Sequence, residues 1–195
     1  MSKKLIVGID EVGRGSVAGP VSVGIVVCEA VPEIPGLTDS KKMTEKARLR
    51  VSALASEMQS TGQLRFGIYS VPAGIIDSGG ISRAIASAIA RGLSELAPDA
   101  SLVKVFLDGS LKAPREYEQT TIIGGDLLVP AISLASVVAK VERDRYMAEE
   151  AHAAYPNYGF DRHKGYGTAA HLAAIKTYGL SPIHRRSFLT KFMVQ

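Results

Sequence analysis

The sequence predicts an α/β fold in which a five-stranded mixed sheet is flanked by helices. Three observations carry that prediction. Short apolar runs bounded by glycine or polar residues recur as strands, longer segments with apolar residues at helical spacing alternate with them, and a glycine-rich turn joins the first two strands. An antiparallel joint followed by helix-crossed strands is the pattern of a mixed sheet.

Strand-like segments lie at residues 4–10, 21–28, 64–71, 103–108 and 120–123. The first two face each other across a tight turn and are expected to pair antiparallel. The third, Leu64–Val71, alternates as a half-buried strand does. From Met43 to Ser60 the residues Ala47, Val51, Leu54 and Met58 fall at helical spacing, with Thr44 placed to cap the N-terminus. Ile81, Ile85, Ile89, Leu93 and Leu96 mark a second helix that ends before Pro98. The longest helix is expected from Ala131 to about Ala154, where Tyr155-Pro156 stops it. A short one from Thr168 to Tyr178 closes on Gly179. No repeat, low-complexity tract or linker interrupts the chain, so residues 1–195 are expected to form one domain, with about 156–195 as its helical C-terminal segment.

Composition narrows the class. Hydrophobic residues make up 46% and charged residues 22%, as in an ordinary globular protein. The lone Cys28 sits in an apolar strand, has no partner for an internal disulfide and reads as core filler of a reducing compartment. Met1-Ser2-Lys3-Lys4 is basic, but the apolar run behind it is too short for a signal peptide. Leu127–Ala139, the longest mostly apolar stretch, is too short to span a bilayer. A cytoplasmic protein with no membrane association is expected. Of the net charge of +4, residues 161–195 carry +5, with six Lys or Arg against one Asp. A basic segment beside an acidic centre suits a polyanion, although charge alone reads equally as a solvated helical face.

The chemistry concentrates between the first two strands, in Gly8-Ile9-Asp10-Glu11-Val12-Gly13-Arg14-Gly15-Ser16-Val17-Ala18-Gly19-Pro20-Val21. Adjacent carboxylates repel by about 1 kcal/mol at 4 Å in water, and by more where water is excluded. A divalent cation reverses that cost. Gly13-Arg14-Gly15 adds backbone N–H groups and a guanidinium suited to phosphate. A dinucleotide-binding turn is ruled out, because its glycines would stand closer together and a helix would follow. On a regular strand Asp10 and Glu11 face opposite sides, so sharing one site requires a break there or two cations; the glycines from Gly13 onward are expected to provide the break. Asp108 ends a strand, where open α/β sheets place chemistry. Asp126 follows Gly124-Gly125; by itself it reads equally as a turn residue. Carboxylates without a Cys or His cluster select a hard metal, Mg²⁺ or Mn²⁺.

These residues resemble the ribonuclease HII family, the type 2 ribonucleases H. The resemblance continues through Thr38-Asp39-Ser40-Lys41-Lys42, Phe106-Leu107-Asp108-Gly109 and Gly125-Asp126. It closes with Ser133–Asp144, Arg162–Thr168 and His184-Arg185-Arg186-Ser187-Phe188, so the blocks run in family order over nearly the whole chain. The resemblance implies the ribonuclease H-like fold and a quartet of catalytic, metal-binding acids on Asp10, Glu11, Asp108 and Asp126. Asp144 is a rival fourth acid, but its place in mid-helix beside Arg143 suits a surface ion pair. Gly13, Arg14 and Gly15 resemble the family loop whose backbone reads a ribose 2′-hydroxyl, and Tyr166 the tyrosine that stacks on the following deoxyribose. Ser40 and Lys41 resemble the phosphate-contacting pair. Lys42, Lys164, Arg185 and Arg186 are candidates for further backbone contacts.

The implied activity is endonucleolytic hydrolysis of the RNA strand in RNA–DNA hybrids, and incision 5′ of ribonucleotides embedded in duplex DNA, with 3′-hydroxyl and 5′-phosphate ends. The sister ribonucleases HIII, with a lysine between the glycines and an added N-terminal domain, match less well. A hybrid-binding module without catalysis is the alternative from another class. The chain departs from the family in having Ser16-Val17 where Pro usually follows the second glycine of the turn. The tail Phe188–Gln195 shows no clear replication-clamp motif, its apolar residues are expected to pack on the core, and a monomer is expected.

Overall fold

The computed structural model describes residues 4–31 and 33–193; Met1–Lys3 of the basic start and the tail's last residues, Val194 and Gln195, lie outside them. Strands β1 (Leu5–Val12), β2 (Val21–Cys28), β3 (Leu64–Val71), β4 (Val103–Asp108) and β5 (Gln119–Ile122) form a five-stranded sheet in the order β3-β2-β1-β4-β5. β1 pairs antiparallel with β2 and parallel with β4, and β4 pairs parallel with β5, so the sheet is mixed as expected. β1 lies at its centre, with Val7 and Ile9 fully buried.

One face packs under α2 (Ala73–Gly79) and α3 (Ile81–Leu96). Val7, Ile9, Val23 and Ile25 meet Ile85, Ile89 and Leu93 there. The other face takes α1 (Glu45–Ser60) and, after the single turn α4 (Gly125–Leu128), the long α5 (Pro130–Tyr146). Thr44 caps α1 through its hydroxyl, which accepts the Ala47 N–H at 3.2 Å. Gly8 and Gly24 let α5 lie close to the sheet: a Cβ on Gly8 would stand 2.2 Å from the Ala131 carbonyl carbon, and one on Gly24 would stand 2.1 Å from the Ala135 oxygen.

Two expectations are corrected. β1 runs on through Glu11 to Val12, with Asp10 opposite Gly24 and Glu11 opposite Val23, so the strand breaks at Gly13 and not between the acids. The long helix is regular only to Tyr146. It widens into a π-helical stretch at Met147–Ala151 before its last turn α6 (His152–Ala154). Periodicity fails to separate these because the apolar face continues through both.

After Pro156 the chain forms α7 (Phe160–His163), α8 (Ala169–Tyr178) and α9 (Arg186–Met193). These helices share a satellite core, with Met147, Tyr158, Phe160, Ile175 and Leu189 buried around Ala18. The tail thus contributes Leu189 to packing. Among the described residues no helix is long and apolar enough to cross a membrane.

Candidate active site

Strand register assembles the acids. Ile9 pairs with Leu107, so the next residues, Asp10 and Asp108, leave neighbouring parallel strands side by side at their carboxyl ends. Asp10 faces α5, the same side as Gly8. It is 4% exposed, and its Oδ1 accepts the Glu11 N–H at 2.7 Å. Burial, less a contribution from the Ser136 hydroxyl and with the charges of Glu11 and Asp108 added, pushes its carboxyl up to about 7. Glu11 turns to the other face at the strand end. Burial raises its carboxyl, against an ion pair with Arg14 at 3.3 Å.

Asp126 is delivered by β5 and α4. Gly124 adopts φ 67, a left-handed conformation that reverses the chain at low cost, and Asp126 sits in the single turn that follows. The Asp108 Oδ1 accepts the Gly125 N–H at 2.7 Å, tying the two acids together. Burial and the Asp108 charge raise the Asp126 carboxyl, while the Lys41 ammonium stands 3.9 Å from its Oδ2. Against its own partial burial, Lys41 is held above its ordinary value by Asp126, Asp10, Asp39 and Asp108. The four predicted acids therefore share one field at one edge of the sheet. Asp144 is apart, paired with Lys140 at 2.8 Å.

Among the described residues no three Asp, Glu, His or Cys side chains already surround a common point at metal-binding distance. The donor set nevertheless fits a hard cation. It is all carboxylate oxygen, and Asp10 and Glu11 are partly desolvated beside Asp108, a state that a divalent ion relieves.

A cleft of about 550 Å³ opens over Asp10 and Glu11, bordered by Gly13, Arg14, Gly15 and Tyr166, with Lys41 at its rim. The turn is built for this. Gly13 has φ +84, and a Cβ there would stand 2.1 Å from the Arg143 Nε, whereas a Cβ on Gly15 would meet nothing within 4 Å. Ser16 keeps the turn by donating its N–H to the Gly13 carbonyl at 3.3 Å, a bond that proline could not make.

The basic candidates separate. Lys41 and Arg186 are exposed, as is Lys42. Ser40 is 2% exposed and exchanges a hydrogen bond of 2.9 Å with Ser136, so it braces the wall behind Asp10 and does not present a free hydroxyl. Lys164 takes φ 51 and folds its ammonium back on the Asp161 carbonyl. Arg185 is corrected outright: it is fully buried, and its Nε and Nη1 donate to the Gly19 and Arg14 carbonyls at 3.0 and 2.9 Å. Burial and the neighbouring Arg143 push its guanidinium down to about 9.

Sequence reasoning missed Arg143, which is 1% exposed and donates to the carbonyls of Ala18, Pro20 and Lys164. It also missed a histidine cluster. His163, His171 and His184 stand 8 and 13 positions apart, yet the satellite core stacks His163 on His171 at 4.2 Å and sets His171 Nε2 3.0 Å from His184 Nε2. Their spacing carries no ligand signature, and only tertiary packing brings them together.

With this geometry in view, similarity to known proteins becomes informative. Residues 7–191 match the family model described as Ribonuclease HII. Ribonuclease HII of Coxiella burnetii (strain Dugway 5J108-111) is 44% identical over 189 residues, covering 96% of this chain and 89% of that protein. Ribonuclease HII of Nitrosomonas europaea is 45% identical over 186 residues, covering 95% and 82%. In fold, the ribonuclease HII of Archaeoglobus fulgidus, solved in complex with PCNA, superposes with a TM-score of 0.74 at 21% identity over 93% of each chain. With acids at the strand ends of a β3-β2-β1-β4-β5 sheet, a family-model match over residues 7–191 and 44–45% identity to the Coxiella and Nitrosomonas enzymes over about 95% of its length, the chain belongs to the ribonuclease HII family of ribonuclease H hydrolases.

Proposed function

We propose that the chain is a divalent-metal-dependent endonuclease that hydrolyses the RNA strand of RNA–DNA hybrids and incises duplex DNA 5′ of an embedded ribonucleotide, leaving 3′-hydroxyl and 5′-phosphate ends. The observation that carries this reading is the convergence of Asp10, Glu11, Asp108 and Asp126 beside a cleft walled by the Gly13–Gly15 turn and Tyr166.

Those acids would hold Mg²⁺ or Mn²⁺, which supplies activation of the attacking water and stabilisation of the leaving 3′ oxygen. The chain's own residues place the substrate. Arg185 takes the Arg14 carbonyl inward, and in a planar trans peptide the Gly15 N–H then points the opposite way. That amide borders the cleft, and a bare glycine lets a ribose 2′-hydroxyl approach it. Tyr166 is 38% exposed and lies over the cations of Lys140 and Arg143, each 5.7 Å from the ring. Its exposed part suits contact with the sugar that follows the ribonucleotide. Lys41 and Arg186 offer phosphate contacts without sequence preference.

A denaturing-gel assay on a DNA duplex carrying one ribonucleotide, run with Mg²⁺, Mn²⁺ or chelator, tests this. The expected result is a metal-dependent cut immediately 5′ of the ribonucleotide. Cleavage of long hybrids only would remove the junction reading, and metal-independent binding without product would favour a binding module.

A further inference from the structure

The histidine cluster behind Tyr166 has a fixed direction. The Ser181 backbone N–H, which can only donate, gives its proton to His184 Nδ1 at 2.9 Å. That nitrogen therefore carries the lone pair, and a neutral ring keeps its hydrogen on Nε2. His184 Nε2–H then donates to His171 Nε2 at 3.0 Å, which leaves the His171 hydrogen on Nδ1. His171 Nδ1–H donates to the Tyr166 carbonyl at 2.9 Å. The Ser181 hydroxyl, 2.7 Å from the same His184 Nδ1, joins as a second donor in this arrangement. The backbone donor at one end and the carbonyl acceptor at the other set the direction of the neutral relay.

His163 obeys the same logic. Its Nδ1 accepts the Gly165 N–H at 3.2 Å, so its Nε2–H donates to the Tyr158 carbonyl at 2.7 Å. Both of its nitrogens are spent on backbone, so it is not available as a third ligand to a metal on the other two. The groups facing the pair are His163, the Tyr158 ring 4.8 Å from His184, and the Phe160 ring 5.4 Å from His171. Burial accordingly pushes both His171 and His184 down to about 4, with His171 and His163 adding to the effect on His184.

We infer that His171 and His184 are positioning residues: their one-way relay from Ser181 sets the height of the Tyr166 backbone, and through it the ring, over the acidic cleft. The inference rests on the reading of Tyr166 as the junction sensor. The relay grips the carbonyl of the residue whose ring must meet a sugar face, and small misplacements of such a group lower turnover rather than binding.

His171→Phe keeps a planar aromatic ring, somewhat larger than imidazole, and removes both ring hydrogen bonds. On a duplex with one ribonucleotide it should lower kcat about tenfold with KM within about twofold, and leave long-hybrid cleavage nearly unchanged. His171→Asn, which can still donate to the Tyr166 carbonyl but drops the link to His184, should recover only part of the loss. Combined with Tyr166→Ala, His171→Phe should add no further loss, because the two act on one interaction. Independent, multiplying losses would overturn the relay while sparing the Tyr166 reading. A Tyr166→Ala single variant with unchanged junction cleavage would overturn that reading and the relay with it. Should His171→Phe fail to fold, ring-nitrogen NMR of the native protein decides: hydrogen on His171 Nδ1 and His184 Nε2 is required, and the opposite tautomers would refute the relay.

Discussion

The Asp108 carboxylate accepts a hydrogen bond of 2.7 Å from the backbone N–H of Gly125, the residue before Asp126. Two acids that are 18 positions apart in sequence are thereby fixed to each other by main chain, one at a strand end and one in the first turn of a helix.

Asp108→Asn removes one negative charge and preserves the shape. Its Oδ1 can still accept the Gly125 N–H, so thermal stability should be kept within about 1 kcal/mol. Cleavage should fall by at least about a hundredfold if the carboxylate holds a cation. Turnover near that of the wild type would remove Asp108 from the centre.

Gly24→Ala tests the close seat of α5. Its new Cβ would stand 2.1 Å from the Ala135 carbonyl oxygen, which is backbone and can yield only if the helix moves. A loss of about 1–3 kcal/mol is expected, read as a lowered denaturation midpoint. Activity should drop with it, because α5 carries Ser136 to Asp10. A variant with native midpoint and native rate would show that the seat is not needed.

Arg185→Lys retains a cation but cannot bridge the Gly19 and Arg14 carbonyls with one planar fork. Incision at an embedded ribonucleotide should fall about tenfold, a loss of about 1.4 kcal/mol in transition-state stabilisation. An unchanged rate would mean that the turn holds its shape without the guanidinium.

Stability should depend on pH through His171 and His184. Both are pushed down to about 4 in the fold, against roughly 6.5 in an unfolded chain. Between those values the unfolded state binds more protons, so stability is complete above about pH 6.5 and is lost as pH falls toward 4. Asp10, pushed up to about 7, works the other way, its contribution declining as pH rises from about 4 to 7. Denaturant midpoints measured across this range should show a steeper acid loss in the wild type than in His171→Phe. Matching slopes would remove the histidines from the acid response.

Much of the fold was legible in the sequence, because local rules decide it. Apolar alternation marks β3, Thr44 caps α1, and Pro156 and Gly179 end helices where chain chemistry requires. The grouping of Asp10, Glu11, Asp108 and Asp126 came from the resemblance to ribonuclease HII, since Asp126 by itself reads equally as a turn residue, whereas strand register and the Asp108–Gly125 hydrogen bond bring them together in the fold. The sequence did not reveal that β1 stays regular through Glu11, because strand pairing with Val23 outweighs the pull of the glycines beyond it. Nor did it distinguish Arg185, which is fully buried, from the adjacent and exposed Arg186: charge is a local property, whereas burial is set by the elements that close over a residue. The same reason hides Arg143 and the three histidines. Arg143 bonds carbonyls as much as 125 positions away, and the histidines, whose partners lie within 13 positions, meet only when the satellite core packs together.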